Sequence, residues 1–252
     1  GAAKGGGGDE DRLVAEKSVF APRKAHSDAH AFYSSERLTL RAFVIDWSRC
    51  NNERFRFLIS DTDDGGNAGV DVEVGEVRDT LAAHHRAIYA AYSYYCALDE
   101  KTPHRYAMGK HAFFDFLRQI DVIDEASKCT DVPAFEHLFS AANFEQAARP
   151  GDHQQKELNS TNDDEALMRF EFLQALPRIA IAKYVRPKVL GDVSEALEQL
   201  ITVDMLPRLP PEAKHDSDLF RTRRLYKRDV NSYFTAMAPV LRTVFDFYSM
   251  IE

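Results

Sequence analysis

Residues 166–185, ALMRFEFLQALPRIAIAKYV, constrain the fold more than any other stretch of the chain. Only Arg169, Glu171, Gln174, Arg178 and Lys183 among these side chains are clearly polar. Glu171, Gln174 and Arg178 fall at i, i+3 and i+7, one narrow stripe on a helix, so other helices must cover nearly all the rest. The stretch is too short and too charged to span a bilayer. It therefore reads as the central buried helix of a soluble all-α domain. Pro177 cannot donate to the carbonyl of Leu173 and predicts a kink there.

Helical periodicity recurs on both sides of this stretch. SSERLTLRAFVIDWSRC (34–50) is a helix capped by Ser34 or Ser35, and its Trp47, the only tryptophan, is expected as a buried anchor. ERFRFLIS (53–60) is a short amphipathic piece. In the long helix 72–98, Val74, Val77, Leu81, His85, Ile88, Tyr92 and Tyr95 recur at steps of three and four. His84 and His85 diverge by about 100° on that helix, so one is expected inside and the other at the surface. Further helices are expected over 107–120 and from Pro133, the latter capped by Thr130 or Asp131. Gly191 should end the central helix, with Asp192 and Glu195 capping the next. The last helix, 230–250, carries Val230, Phe234, Met237, Leu241, Val244, Phe245 and Tyr248 on one face and is expected to dock on the core. The glycine-rich residues 1–12 read as a disordered tail, and residues 13–252 as a single all-α domain.

Composition excludes several function classes. With 44% hydrophobic and 11% aromatic residues the chain can build a core, and a net charge of −8 argues against general nucleic-acid binding. Cys50, Cys96 and Cys129 are an odd number without metal-ligand spacing, which predicts reduced thiols in an intracellular, cytoplasmic protein. No HExxH, GxSxG or CxxC occurs, and GGGG (5–8) lacks the strand, helix and Lys-Ser/Thr of a P-loop. No catalytic site assembles, so the chain is expected not to be an enzyme, with no cofactor and no membrane partner.

Residues 108–185 read as helix, loop, helix, long loop, helix, with the second unit echoing the first. Counted back from Glu171-Phe172, an EF-hand loop would place Ser160, Asn162 and Asp164 at positions 1, 3 and 5, Leu167 at the apolar position 8 and Glu171 at position 12. In the first unit Glu125, Ser127 and Cys129 take positions 1, 3 and 5, Val132 position 8 and Glu136 position 12. Glu165 and Thr130 stand where Gly belongs, and most chelating oxygens are lost. Asn162, Asp164 and Glu171 are the weak calcium candidates. Asp61 and Asp63 begin a similar loop, but Val72 replaces its closing Glu.

DWSRC (46–50), IYAAYSYYCAL (88–98), FFDFLRQIDVID (113–124), ALMRFEFLQALPRIAIAKY (166–184), VSEALEQLI (193–201) and LFRTRRLY (219–226) together resemble EF-hand-like helical modules of flagellar and ciliary proteins from protists. The helical pair also looks distantly like the tubulin-associated p25-alpha domain. The resemblance implies a non-catalytic structural or interaction module of the ciliary or flagellar cytoskeleton, with tubulin or an axonemal scaffold as protein partner. The alternative it carries is a calcium-responsive sensor. Arg221, Arg223, Arg224, Lys227 and Arg228 cluster within eight residues of an acidic chain. On a helix Arg221, Arg224 and Arg228 would share one face, and Arg223 and Lys227 another. Two readings stand: pairing with Asp216, Asp218 and Asp229 within the chain, or an anionic protein partner.

Overall fold

Apolar residues at helical spacing produce helices throughout the computed structural model, which describes residues 19, 35–50, 52–60, 66–99, 106–143, 165–214, 224–225 and 227–250. The class is all-α. Among the described residues strand is confined to one pair of two-residue segments. Contacts divide the chain into two units, residues 39–214 and a second formed by 1–38 with 215–252. The expected tail, 1–12, lies outside the described residues. No helix among the described residues is long and apolar enough to cross a membrane.

The larger unit is built from α1 (Ser35–Cys50) from Thr39 onward, α2 (Glu53–Ser60), α3 (Gly66–Leu98), α4 (Lys110–Gln119), α5 (Val132–Ala142), α6 (Arg169–Ala180), α7 (Val193–Gln199) and α8 (Leu206–Arg208). A 3-10 turn, Pro211–Lys214, follows. Val74, Val77, Leu81, His85, Ile88, Tyr92 and Tyr95 are all buried on α3, the face their spacing predicts. Trp47 is partly exposed, packing on the core edge-on to Phe55 and stacked on Phe43. On α6, Phe172, Leu173, Ala175, Leu176, Ile179 and Ala180 are fully buried, with Phe172 5.1 Å from the Phe116 ring of α4 and 5.5 Å from Tyr92 of α3. The core closes around this helix.

Several boundaries differ from the pattern reading. Ala166 and Leu167 are not helical; they form β2, paired antiparallel with β1 (Met108–Gly109) in the register Met108↔Leu167 and Gly109↔Ala166. Backbone pairing between two distant loops has no periodicity to announce it. α6 runs through Pro177 and widens only afterwards, into a π turn at Ile181–Val185. Lys188 rather than Gly191 ends it. Lys188 takes φ 61°, with Val189 N–H bonded to Tyr184 O and Lys188 N–H to Val185 O. This is the left-handed closing motif that usually favours glycine. Asp121 (φ 57°) closes α4 the same way. Asp131 and Asp192 do cap α5 and α7, accepting from the N–H groups of Ala134 and Glu195.

In the smaller unit α9 spans Arg228–Ser249, and Asn231 Oδ1 accepts from Val19 N–H at 2.8 Å. The apolar stripe is where periodicity puts it, but no residue of α9 is buried: Phe245 is 71% and Tyr248 69% exposed. The expected burial of this stripe is not seen: its residues are exposed or partly exposed. Amphipathicity fixes which face is apolar, not what covers it.

Candidate functional site

The β1–β2 ribbon joins two helix–loop–helix units, α3/α4 and α5/α6. Asp99, just beyond α3, accepts from Gly109 N–H at 3.1 Å, and the Tyr92 hydroxyl donates to the carbonyls of Tyr106 (2.6 Å) and Leu167 (3.0 Å). One tyrosine thus tethers both sides of the ribbon to α3. Leu167 is paired in the ribbon. Its partner is Met108, not Val132.

The expected first loop, 125–136, is accordingly corrected. Residues 124–130 form a tight connection between α4 and α5, closed by Ser127 N–H to Asp124 O, Thr130 N–H to Ser127 O and Asp124 N–H to Thr130 O. Glu136 lies one turn into α5 and pairs with Lys110 at 2.7 Å. The segment that pairs with Ala166–Leu167 is Met108–Gly109.

Glu171 is 2% exposed. Its Oε2 accepts from Met168 N–H at 2.7 Å, the residue preceding α6, whose backbone is extended. This is one half of a capping box; methionine has no oxygen for the other half. A carboxylate in the first helical turn also meets the positive end of the helix dipole. Asn162 and Asp164, with Ser160, lie outside the described residues, as do Asp61 and Asp63. Gln174, next on the stripe, is buried and donates to Cys50 O at 3.2 Å. The Cys50 thiol donates to Phe170 O at 2.7 Å and is held well above its ordinary pKa by burial and by the negative charges of Asp46 and Glu171. Such a thiol stays protonated and unreactive. All three cysteines are free.

Pattern reading missed Asp46. It is 6% exposed and accepts from Tyr89 Oη at 2.6 Å and from Arg169 Nε at 2.5 Å, while the Arg169 guanidinium lies 4.6 Å from the Tyr89 ring centre. Burial and the Asp46 contact push the Tyr89 hydroxyl pKa up. The trio fastens α1 and α3 to the start of α6. His85 is the interior histidine, with Nδ1 2.6 Å from Ala82 O and Nε2 3.2 Å from Thr39 Oγ1. His84 meets Glu198 at 2.9 Å nearer the surface.

Neither known families, curated proteins nor solved structures give a match to the chain.

Glu73, Glu76 and Asp192 are an acidic group among the described residues whose oxygens, all within 4.8 Å, could hold a cation. Their hydrogen bonds serve the start of α7 instead. Glu73 accepts from Ser194 N–H at 2.9 Å, and Asp192 from Ser194 Oγ and Glu195 N–H. Burial, then Asp192, raises the pKa of Glu73; burial opposes ionisation of Asp192, but its hydrogen bonds hold it low. A carboxyl with a raised folded-state pKa contributes stability below its unfolded value of 4.5 and loses it as pH rises through the folded value. Glu73→Gln keeps an acceptor for Ser194. It should raise stability at pH 7 by about 0.5 kcal/mol, the scale of a like-charge contact near a surface, and give no gain at pH 4. Thermal melts at both pH values check this; a loss at pH 7 would show that ionised Glu73 is needed.

Of the basic cluster, Arg221 and Arg223 lie outside the described residues. Arg224 and Arg228 are exposed, Lys227 is half-buried, and none pairs with a carboxylate among the described residues, Asp229 included. Lys227 is extended (φ −115°, ψ 152°) and precedes α9, so Arg224 and Arg228 do not share a helical face. The expected stripe requires an unbroken helix that the backbone does not form.

Proposed function

We propose that this chain is a non-catalytic interaction module of the ciliary or flagellar cytoskeleton, cytoplasmic in setting, whose partner is an acidic protein surface such as tubulin or an axonemal scaffold. The observation that carries the reading is α9. A helix of 22 residues with no buried side chain exposes Phe234, Leu241, Val244, Phe245 and Tyr248, and the unpaired Arg224, Lys227 and Arg228 stand at its start. An exposed apolar stripe of this size suits another protein, and adjacent unpaired cations steer an acidic one. The ciliary setting and the class of partner rest on the resemblance in sequence. A second reading, a calcium-responsive EF-hand-like sensor, is favoured by the ribbon between the two helix–loop–helix units and by Glu171 in the first turn after it. It is weakened by the capping duty of that carboxylate.

Co-sedimentation of the full chain with microtubules tests the proposal. Arg224→Glu, Lys227→Glu and Arg228→Glu combined should leave the fold intact, since Arg228 opens a helix where a carboxylate is favourable. Affinity should fall at least about tenfold, some 1.4 kcal/mol, and wild-type binding should weaken with salt. Equal binding by the variant would remove the proposal. Wild-type binding should be the same with calcium or with chelator. A calcium-dependent change abolished by Glu171→Gln would select the sensor.

A further inference from the structure

The 22 residues of α9 follow a stricter pattern than amphipathicity alone requires. Val230, Tyr233, Met237, Val240, Val244 and Phe247 succeed one another at alternating steps of three and four, the apolar spacing of a heptad repeat. Leu241 and Tyr248 widen this line on one side. Ser232, Thr235, Pro239, Arg242, Asp246 and Ser249 take the outward positions, so the proline inside the helix stands off the line. A line that repeats every 3.5 residues drifts around a straight helix of 3.6 residues per turn. It stays in register only with a second helix that winds along it.

The line is open to solvent. Tyr233, Phe247 and Tyr248 are 64%, 59% and 69% exposed, and Val240, Leu241 and Val244 are 54%, 46% and 49% exposed. With their neighbours on the line they present roughly 700 Å² per copy, close to the area of about 800 Å² that each side of a stable interface contributes.

Charge and shape both select a reversed copy of the same helix. Among the described residues the start of α9 carries Arg224, Lys227 and Arg228 against one acid, Asp229, and its far end carries Asp246 beyond Arg242. The start is also the positive pole of the helix and the far end the negative pole. A parallel pair would set two basic starts side by side; an antiparallel pair sets each start beside the other's negative end. Reversal also places Val230 opposite Phe247, Tyr233 opposite Val244 and Met237 opposite Val240. Each layer then joins a large or flexible side chain to a β-branched one, which fills space evenly. Parallel pairing would instead stack aromatic on aromatic and valine on valine.

We infer that two copies of this chain pair through α9 as an antiparallel two-stranded coil. The inference rests on the reading of α9 as an interaction surface and names a second copy as what covers its apolar line. Such a contact is isologous and closes on itself as a dimer. Arg228 stands at an outward position, so pairing leaves the basic starts open to an acidic surface at both ends of the coil.

Sedimentation equilibrium of the full chain alone tests it. The mass should rise from the 28.6 kDa of one copy to twice that value over roughly 1 to 100 μM, the weak end for an interface of this area. Val240→Glu combined with Val244→Glu places charge in the middle of the line, on exposed residues. It should weaken self-association at least about a hundredfold, because both carboxylates would be buried without partners, and leave the Tm of dilute protein unchanged. On mild oxidation, a mixture of Tyr233→Cys and Val244→Cys chains should cross-link above the wild-type background, and neither variant should do so alone. A mass of one copy throughout the range would overturn the dimer. A dimer that survives Val240→Glu with Val244→Glu would place its interface away from α9, and a lower Tm for that dilute variant would show that the line packs within one copy; either result overturns the inference. Cross-linking of Val244→Cys with itself would overturn the antiparallel order. No other protein is present in these measurements, so their failure leaves the microtubule result standing, and a failure to bind microtubules leaves the dimer standing.

Discussion

Phe172→Ala should lower the unfolding free energy by about 3–5 kcal/mol, the usual cost of deleting a large aromatic from a packed core. Phe172 is fully buried at the meeting of three helices, with the rings of Phe116 (α4) and Tyr92 (α3) 5.1 and 5.5 Å from its own. The cavity would open beneath the ribbon that Tyr92 tethers, and that tether limits how far the helices can collapse to fill it. Phe172→Leu, which leaves less empty volume, should lose roughly half as much. Urea unfolding followed by far-UV circular dichroism measures both. A loss under about 1 kcal/mol for the alanine variant would mean that the core does not close on α6.

The helices were legible because their signal is local. Seven residues of α3 at steps of three and four are all buried, and Asp131 and Asp192 cap the helices their positions announce. The pairing of the loops was not. Val132 and Met108 both stand near the start of a helix and are apolar, and only contact with Leu167 distinguishes them. Glu171 shows a different limit. A glutamate in the first helical turn is the signal both for a closing calcium ligand and for a capping carboxylate, so one residue type at one position fits both. Asp46 escaped notice because an aspartate between Ile45 and Trp47 has no pattern of its own; its partners lie 43 and 123 residues away. The polar stripe of α6 was legible, but not that Glu171 and Gln174 on it are buried. Stripe and core differ by what lies opposite, which the stripe itself does not encode.

Asp204→Ala should cost about 3–5 kcal/mol, as expected when one partner of a buried ion pair is removed. The Asp204 side chain is 5% exposed and gathers three donors: Lys183 Nζ at 2.9 Å, Tyr184 Oη at 2.5 Å and Arg208 Nη1 at 3.0 Å. Lys183 and Tyr184 lie in the π turn after α6, and Asp204 lies in a second π turn, Leu200–Met205, that continues α7. The carboxylate therefore joins the two irregular segments, where backbone hydrogen bonding alone is weakest. Without it the Lys183 ammonium, only 23% exposed, faces the gap uncompensated, and Tyr184 loses its acceptor. Removing that ammonium as well separates the contributions. Adding Lys183→Met to Asp204→Ala should recover about 1–2 kcal/mol, the part of the loss due to a stranded charge rather than a missing bond. If the double variant is no more stable than Asp204→Ala, water reaches Lys183 and the clasp acts through Tyr184 and Arg208. If Asp204→Ala itself costs less than about 1 kcal/mol, the two π turns are held by packing around Leu200 and Ile181 and not by this carboxylate.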